Sequence, residues 1–104
     1  MRRSVIIHQL QLTLHELVPD AKIVLFGSEA RGDARPDSDI DLLILISSDP
    51  VPVNTEKEII GFLSDLSVQT GVIISSIILP RNKWENRVIK SPFYLNVMNE
   101  GVTI

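Results

Sequence analysis

Residues 22–46 read KIVLFGSEARGDARPDSDIDLLILI, in which two apolar runs flank a short polar segment. The first run ends at Gly27, and the second begins at Leu42. Neither run has helical periodicity, so both are expected to form buried strands. The polar segment carries Asp39 and Asp41, which are separated by one residue. This stretch therefore predicts two core strands with the reactive side chains at the ends where they meet the loop.

The composition limits the class of protein. A chain of 104 residues, 44% of them hydrophobic, predicts a single folded domain over residues 1–104. The net charge of −3 argues against an extended nucleic-acid surface, which needs clustered Lys and Arg. The absence of cysteine excludes disulfides and thiolate zinc sites. No apolar run approaches the roughly 20 residues of a membrane span, and a cytoplasmic protein is expected.

Helical and strand patterns alternate along the chain. Ser28 and Thr55 are expected to cap the helices that follow them, Thr55 in a capping box with Glu58. The alternation predicts one sheet covered by helices. The predicted helices span residues 2–18, 29–31, 55–70 and 82–89, with a last one between Ser91-Pro92 and Gly101; the predicted strands span residues 22–26, 40–46 and 72–79.

The spacing of Asp39 and Asp41 points to a metal site. On a strand, residues two apart point to the same face with their Cα atoms roughly 6.6 Å apart. Two carboxylates that close repel each other unless a cation lies between them. Oxygen ligands suit Mg²⁺ or Mn²⁺, which commonly share their remaining positions with water and substrate phosphates. The pair is therefore a candidate site for Mg²⁺, with Mn²⁺ as the alternative ion.

Gly27 and Ser28 supply features that suit a phosphate. Glycine lets the backbone approach a ligand closely, and the amides at the start of a short helix attract anions. If this turn adjoins Asp39 and Asp41 in the sheet, a nucleoside triphosphate would place its phosphates on the turn and its metal ions on the carboxylates. That arrangement is typical of phosphoryl or nucleotidyl transfer.

Two other motifs fail at specific residues. Asp37, Asp39 and Asp41 match the first three ligand positions of an EF-hand, but Leu42 stands where that loop needs glycine and Ser48 where it needs glutamate. A Walker-type loop fails because no Gly-Lys-Ser/Thr follows Gly27.

Taken together, the motifs resemble the polymerase-β-like nucleotidyltransferase superfamily, and specifically its minimal nucleotidyltransferases. The signature of that family is Gly-Ser, ten intervening residues and Asp-x-Asp, and residues 29–38 are ten residues. The resemblance implies an α+β fold, an αβαβαβ core with a small mixed sheet covered by helices, plus a C-terminal helix. It implies catalysis and metal binding by Asp39 and Asp41 and nucleotide binding by the following residues: Gly27, Ser28, Arg31 and Ser38.

The chain departs from the family pattern on the third strand. Active members carry a third carboxylate there, but residues 72–79 contain no acid. Ser75 is the position where that carboxylate is expected. A serine is a weak neutral ligand and a poor general base.

The resemblance also implies a reaction and a partner. The expected activity is transfer of a nucleoside monophosphate from a nucleoside triphosphate, with ATP as the expected donor, to a hydroxyl on a helical HEPN toxin, so that the protein acts as the antitoxin. One alternative is a catalytically degenerate antitoxin that neutralises its partner by contact, which the missing carboxylate favours. Another is nucleotidylation of a small molecule of the aminoglycoside type. Self-association stays open.

Overall fold

The computed structural model describes residues 2–104, and within them it contains five helices and four strands. The expected α+β class is confirmed. In chain order the elements are α1 (Arg3–Leu17), β1 (Lys22–Phe26), α2 (Ser28–Arg31), β2 (Ile40–Ile46), α3 (Val53–Thr70), β3 (Ile74–Pro80), α4 (Arg81–Glu85), α5 (Pro92–Glu100) and β4 (Val102–Thr103).

The strands form one mixed sheet in the order β3-β2-β1-β4. β1 pairs with β2 and with β4 in antiparallel fashion, whereas β2 and β3 are parallel. Phe26, the last residue of β1, lies opposite Asp41. The polar loop between β1 and β2 therefore leaves and re-enters the sheet at one end, close to the start of β3.

Helices cover both faces of the sheet, as the order of elements predicted. α1 and α3 pack on one face, and α4 and α5 pack on the other. β2 is buried along its length except at Asp41, which matches the expectation of a strand covered on both faces. The first face is built on Ile6, Leu10, Leu14, Ile23, Leu25, Leu42, Ile44, Ile59, Leu63 and Leu66, and the second on Val24, Leu43, Leu45, Trp84, Tyr94 and Val97.

The predicted caps of two helices are wrong. α2 begins at Ser28 with Gly27 as its N-cap, because Gly27 has φ 75° and ψ −153°, a conformation essentially restricted to glycine. α3 begins at Val53 after Pro52, which places Thr55 inside the first turn without a side-chain cap. Pro52 starts the helix earlier because its extended backbone already directs the chain into the first turn.

Two boundaries around the third strand also differ from the prediction, and one short strand was not predicted. β3 starts at Ile74, since the backbone N–H of Val72 is bound by Thr70 Oγ1 in the turn that follows α3. α4 ends at Glu85 instead of residue 89, because Val88 and Ile89 are 96% and 82% exposed and bury nothing. β4 was not predicted, since two residues are too few to show a pattern.

The last helix begins as expected. The Ser91 hydroxyl accepts a hydrogen bond from the N–H of Tyr94 at 3.2 Å, and Pro92 is the first helical residue. Among residues 2–104, none of the helices has both the length and the apolar character needed to cross a membrane.

Candidate active site

The pairing of Phe26 with Asp41 brings the Gly27 turn directly against the Asp41 carboxylate. A Cβ atom at position 27 would overlap Asp41 Oδ2. The positive φ of Gly27 disfavours any other residue independently of that overlap. Glycine is therefore needed here for both its backbone conformation and its lack of a side chain, and the turn and the carboxylate form one continuous surface.

The short helix α2 presents its first amides beside this surface. The first helical hydrogen bond is donated by the N–H of Arg31 to the carbonyl of Gly27 at 3.1 Å. The amides of Ser28, Glu29 and Ala30 precede that bond, and such amides have no partner within a helix. They are the groups that the sequence assigned to phosphate binding.

Asp39 and Asp41 lie at the start of β2 beside the same turn. Asp41 projects to the α4/α5 face, which it shares with Leu43, and Asp39 is exposed at the entrance of the strand. Burial raises the pKa of Asp41, the negative charge of Asp39 raises it further, and Arg31 opposes these effects. Burial and the neighbouring charge therefore both disfavour ionisation of Asp41 in the free protein.

This donor set fits a divalent cation. Two neighbouring carboxylates offer the hard oxygen ligands that Mg²⁺ and Mn²⁺ prefer, and a cation would offset both the burial and the repulsion from Asp39 that raise the pKa of Asp41. In the part of the chain that the structure describes, no three His, Cys, Asp or Glu side chains converge to hold a metal ion. A divalent cation held by this pair would need water and substrate to fill its remaining coordination positions.

Ser75 lies next to the aspartate pair. The parallel register of β2 and β3 sets Ser75 opposite Asp41, and Ser76 opposite Leu42 on the other face. Ser75 is exposed. The position predicted for the missing carboxylate therefore adjoins Asp41, and a hydroxyl occupies it.

Arg31 and Ser38 make bonds within the protein. Arg31 Nε donates to Asp33 at 3.3 Å and Nη1 donates to Glu100 of α5 at 3.4 Å. The hydrogen bond to Asp33 is the largest cause of the raised pKa of Arg31. Ser38 Oγ accepts from the N–H of Arg35 at 2.9 Å and closes a turn in the loop. Arg31 lies close enough to influence Asp41, whereas Ser38 shapes the loop that leads to it.

Two residues near the site were not found from the sequence. Arg3 of α1 donates hydrogen bonds to α2 and to the loop before β2. Phe93 contacts Phe26 edge to face, with ring centroids 5.5 Å apart, and both line a half-open cavity of about 140 Å³ beside Gly27. An aromatic residue in a short helix indicates packing and not a site, and an isolated arginine in a helix carries no signal of its own.

Comparison with known proteins identifies a family for this chain. The family described as "Nucleotidyltransferase domain" matches residues 7–96. Two proteins of Methanocaldococcus jannaschii that are named protein adenylyltransferases, MJ0141 and MJ0604, are similar to the chain. MJ0141 is 36% identical over 83 residues, which are 80% of this chain and 77% of that protein. MJ0604 is 38% identical over 80 residues, or 77% and 73% of the two chains.

Solved structures share the fold. A toxin–antitoxin crystal structure with AMP-PNP superposes with a TM-score of 0.57 at 19% identity, covering 99% of this chain and 72% of that one. A mutant of the MntA–HpeT toxin–antitoxin gives 0.58 at 19% identity, covering 100% and 72%. These likenesses confirm the predicted nucleotidyltransferase fold.

The fold and the site define an enzyme that transfers a nucleotidyl group. The chain belongs to the nucleotidyltransferase domain family, as the spacing of Gly27-Ser28 and Asp39/Asp41 predicted.

Replacement of Gly27 tests the contact with Asp41, and Gly32 provides the matched control. Gly32 also has a positive φ, 80°, but a Cβ there would meet no atom within 4 Å. Both alanine variants should lose about 1 kcal/mol or more of unfolding free energy from backbone strain. Only Gly27→Ala should weaken binding of Mn²⁺ with AMP-PNP, by about tenfold or more as judged from the typical effect of shifting a metal ligand. Calorimetry would measure both affinities, and equal losses in the two variants would contradict the role of the contact.

The raised pKa of Asp41 predicts a gain in stability when its charge is removed. The folded state binds the Asp41 proton more tightly than the unfolded state, so this group stabilises the fold at low pH and that contribution is lost as pH rises through the folded-state pKa. Asp41→Asn should therefore raise the Tm of the metal-free protein at neutral pH and lose that advantage at a pH below the ordinary pKa of an aspartate. Thermal melts in EDTA would measure this, with the exposed loop acid Asp37, replaced by Asn, as control. A lower Tm for Asp41→Asn at pH 7 would contradict the prediction.

Proposed function

We propose that the protein binds ATP with Mg²⁺, or Mn²⁺ in its place, and transfers AMP to a hydroxyl of a partner protein in the cytoplasm. The observation that carries this proposal is the direct contact between the Gly27 turn and the Asp41 carboxylate. It joins groups that suit phosphate to groups that suit a cation, and a nucleoside triphosphate with its metal needs both within a few ångströms.

The residues divide the work between the two halves. The backbone at Gly27 and Ser28 binds the triphosphate, and Asp39 and Asp41 hold the cation. A divalent cation bound there would neutralise charge on the attacking and leaving oxygens. The acceptor oxygen forms a bond to the α-phosphorus, and the bond to pyrophosphate breaks. Since Ser75 is a poor base, water takes the acceptor's proton.

Several findings support a protein acceptor in a toxin–antitoxin pair. The two similar proteins of M. jannaschii are named protein adenylyltransferases. The structures that share the fold are toxin–antitoxin complexes, one of them with AMP-PNP. We therefore propose that the acceptor is a helical HEPN toxin, which the protein would silence by adenylylation.

One observation favours a second function. Ser75 stands beside Asp41 where a third carboxylate would complete the metal site. A protein with weakened chemistry would still neutralise its partner by contact, without nucleotide. The two functions differ in whether neutralisation depends on Asp39 and Asp41.

Label transfer tests the proposed reaction. Wild-type protein incubated with α-labelled ATP, Mg²⁺ and its co-encoded partner should transfer label to the partner. The Asp39→Asn/Asp41→Asn double variant should lose at least about 100-fold of that rate, since loss of a residue that only orients a metal ligand already costs about 10- to 100-fold. Absence of transfer by the wild type would sink the enzymatic function. If the double variant still neutralised the toxin, the contact mechanism would be the correct one.

Restoring a carboxylate on β3 should strengthen the site. Ser75→Asp places a third carboxylate opposite Asp41, and we expect Mn²⁺ affinity to rise by about tenfold or more, since even a residue that only orients a metal ligand changes affinity by about 10- to 100-fold. Ser75→Asn has nearly the same shape without the charge and should leave the affinity close to wild type. Calorimetric titration with Mn²⁺ measures the difference, and equal affinities for the two variants would show that position 75 does not face the metal.

A further inference from the structure

A single arginine outside the family motif connects three segments of the candidate site. Arg3 Nε donates to Glu29 Oε2 of α2 at 2.7 Å, and Nη1 donates to the carbonyl of Ser38 at 2.7 Å. Longer bonds run from Nη1 to the carbonyl of Pro36 at 3.4 Å and from Nη2 to that of Asp39 at 3.3 Å. The guanidinium of Arg3 therefore links α1 to α2 and to the loop that leads into Asp39 and Asp41.

The chemistry of these bonds favours arginine specifically. A guanidinium presents five N–H donors in a planar fork, whereas a lysine ammonium acts as a compact point charge. The Arg3 and Glu29 side chains are 16% and 17% exposed, so solvent screens their ion pair less than it screens a pair on the open surface. The remaining bonds go to backbone carbonyls, and these bonds fix the path of the main chain.

We propose that Arg3 is a positioning residue that fixes the Gly27-Ser28 turn and the Asp39/Asp41 pair, the two halves of the site, relative to each other. Glu29 lies next to Ser28 in the phosphate-side helix, and Ser38 and Asp39 lead directly into Asp41. Arg3 binds Glu29 and the carbonyls of Ser38 and Asp39 at once, and thereby sets the distance between the two halves of the site. The proposal deepens the proposed function, on which it rests for the identity of the two halves.

The loop has few other bonds that could hold it in place. Hydrogen bonds within it join Arg35 to Ser38, and Asp33 accepts from the Arg31 side chain and donates its N–H to the carbonyl of Ser28. They shape the loop and tie its beginning to α2. Directly after the loop, the N–H of Ile40 donates to the carbonyl of Ile73 and ties the start of β2 to β3. Its end, at Asp39, is tied to α1 only through Arg3 among the described hydrogen bonds.

Arg3 is also separable from the packing of α1. The helix is held on the sheet by Ile6, Leu10 and Leu14, which are fully buried. Removal of the Arg3 side chain should therefore leave the core intact and loosen the loop. The family match begins at residue 7, so Arg3 does not belong to the matched pattern.

The first test needs no ligand. Hydrogen exchange measured by mass spectrometry on the full chain should show faster exchange over residues 33–40 in Arg3→Ala, by about tenfold for the loss of roughly 1.4 kcal/mol of local protection. Arg2→Ala removes the same charge from a neighbouring exposed residue and should match the wild type. Glu29→Gln, which keeps the side-chain shape, should show a smaller increase in the same segment.

The second test measures the effect on the site. Titration with Mn²⁺ in the presence of AMP-PNP, followed by electron paramagnetic resonance, should give about 10- to 100-fold weaker Mn²⁺ binding for Arg3→Ala, the usual loss for a residue that orients a metal ligand. Arg3→Lys should stay weakened, because it keeps the charge but not the fork. Arg2→Ala should bind like the wild type.

The two tests separate this proposal from the proposed function. Exchange and Mn²⁺ affinity both unchanged in Arg3→Ala would overturn the positioning role, as would equal effects from Arg2→Ala. If the wild type itself bound no Mn²⁺, the proposed function would fail, and the exchange data alone would decide whether Arg3 holds the loop. Should Arg3→Ala not fold, Glu29→Gln and Arg3→Lys would decide the same question.

Discussion

The antiparallel pairing of Phe26 with Asp41 is the constraint on which the site depends. Side chains alternate between faces along a strand, so a slip of one residue would send Asp41 into the apolar layer beneath α1 and α3. An ionised carboxylate buried without a partner is strongly disfavoured. The correct register instead sets it against Gly27, where glycine leaves room for its oxygens. Packing of the core and assembly of the site are thus enforced by the same pairing.

Burial on both faces makes this register robust. β2 contributes fully buried residues to each side, Leu42 and Ile44 to one face and Leu43 to the other. A shift would misplace every one of them at once. The parallel pairing with β3 follows from the same strand and sets Ser75 beside Asp41. Gly27, Asp41 and Ser75 therefore lie together because the core allows β2 only one register with its two neighbouring strands.

The sequence predicted this part of the molecule because its signals are local and strong. It was sufficient to find two apolar runs, a Gly-Ser motif and an Asp-x-Asp motif. These place Gly27, Asp39 and Asp41 at the ends of strands. The helix caps were misassigned because Gly27 and Pro52 start their helices through backbone conformation, which side-chain preferences do not reveal. β4 is stabilised by pairing with β1 and not by its own two residues.

Arg3 could not be found from the sequence for a different reason. Its partners lie 26 to 36 residues away along the chain, so nothing near position 3 marks it. An arginine in the first turn of a helix is common. Only the folded structure shows that this guanidinium donates to Glu29 and to the carbonyls of Ser38 and Asp39. Residues that act through others depend on distant geometry, and they are the part of a site that motifs omit.

The absence of a third carboxylate at the site changes the electrostatic balance of the metal-free protein. Arg31 is already bound to Asp33 and Glu100, so its charge is shared and only partly offsets the raised pKa of Asp41. A third acid at position 75 would add further repulsion beside Asp41, whose ionisation burial and the Asp39 charge already disfavour. Ser75 removes that cost from the free protein and, by the same electrostatics, weakens the attraction for a cation. Under the proposed function, the substrate's own phosphates would then have to complete the metal coordination, so nucleotide and metal would each strengthen the binding of the other.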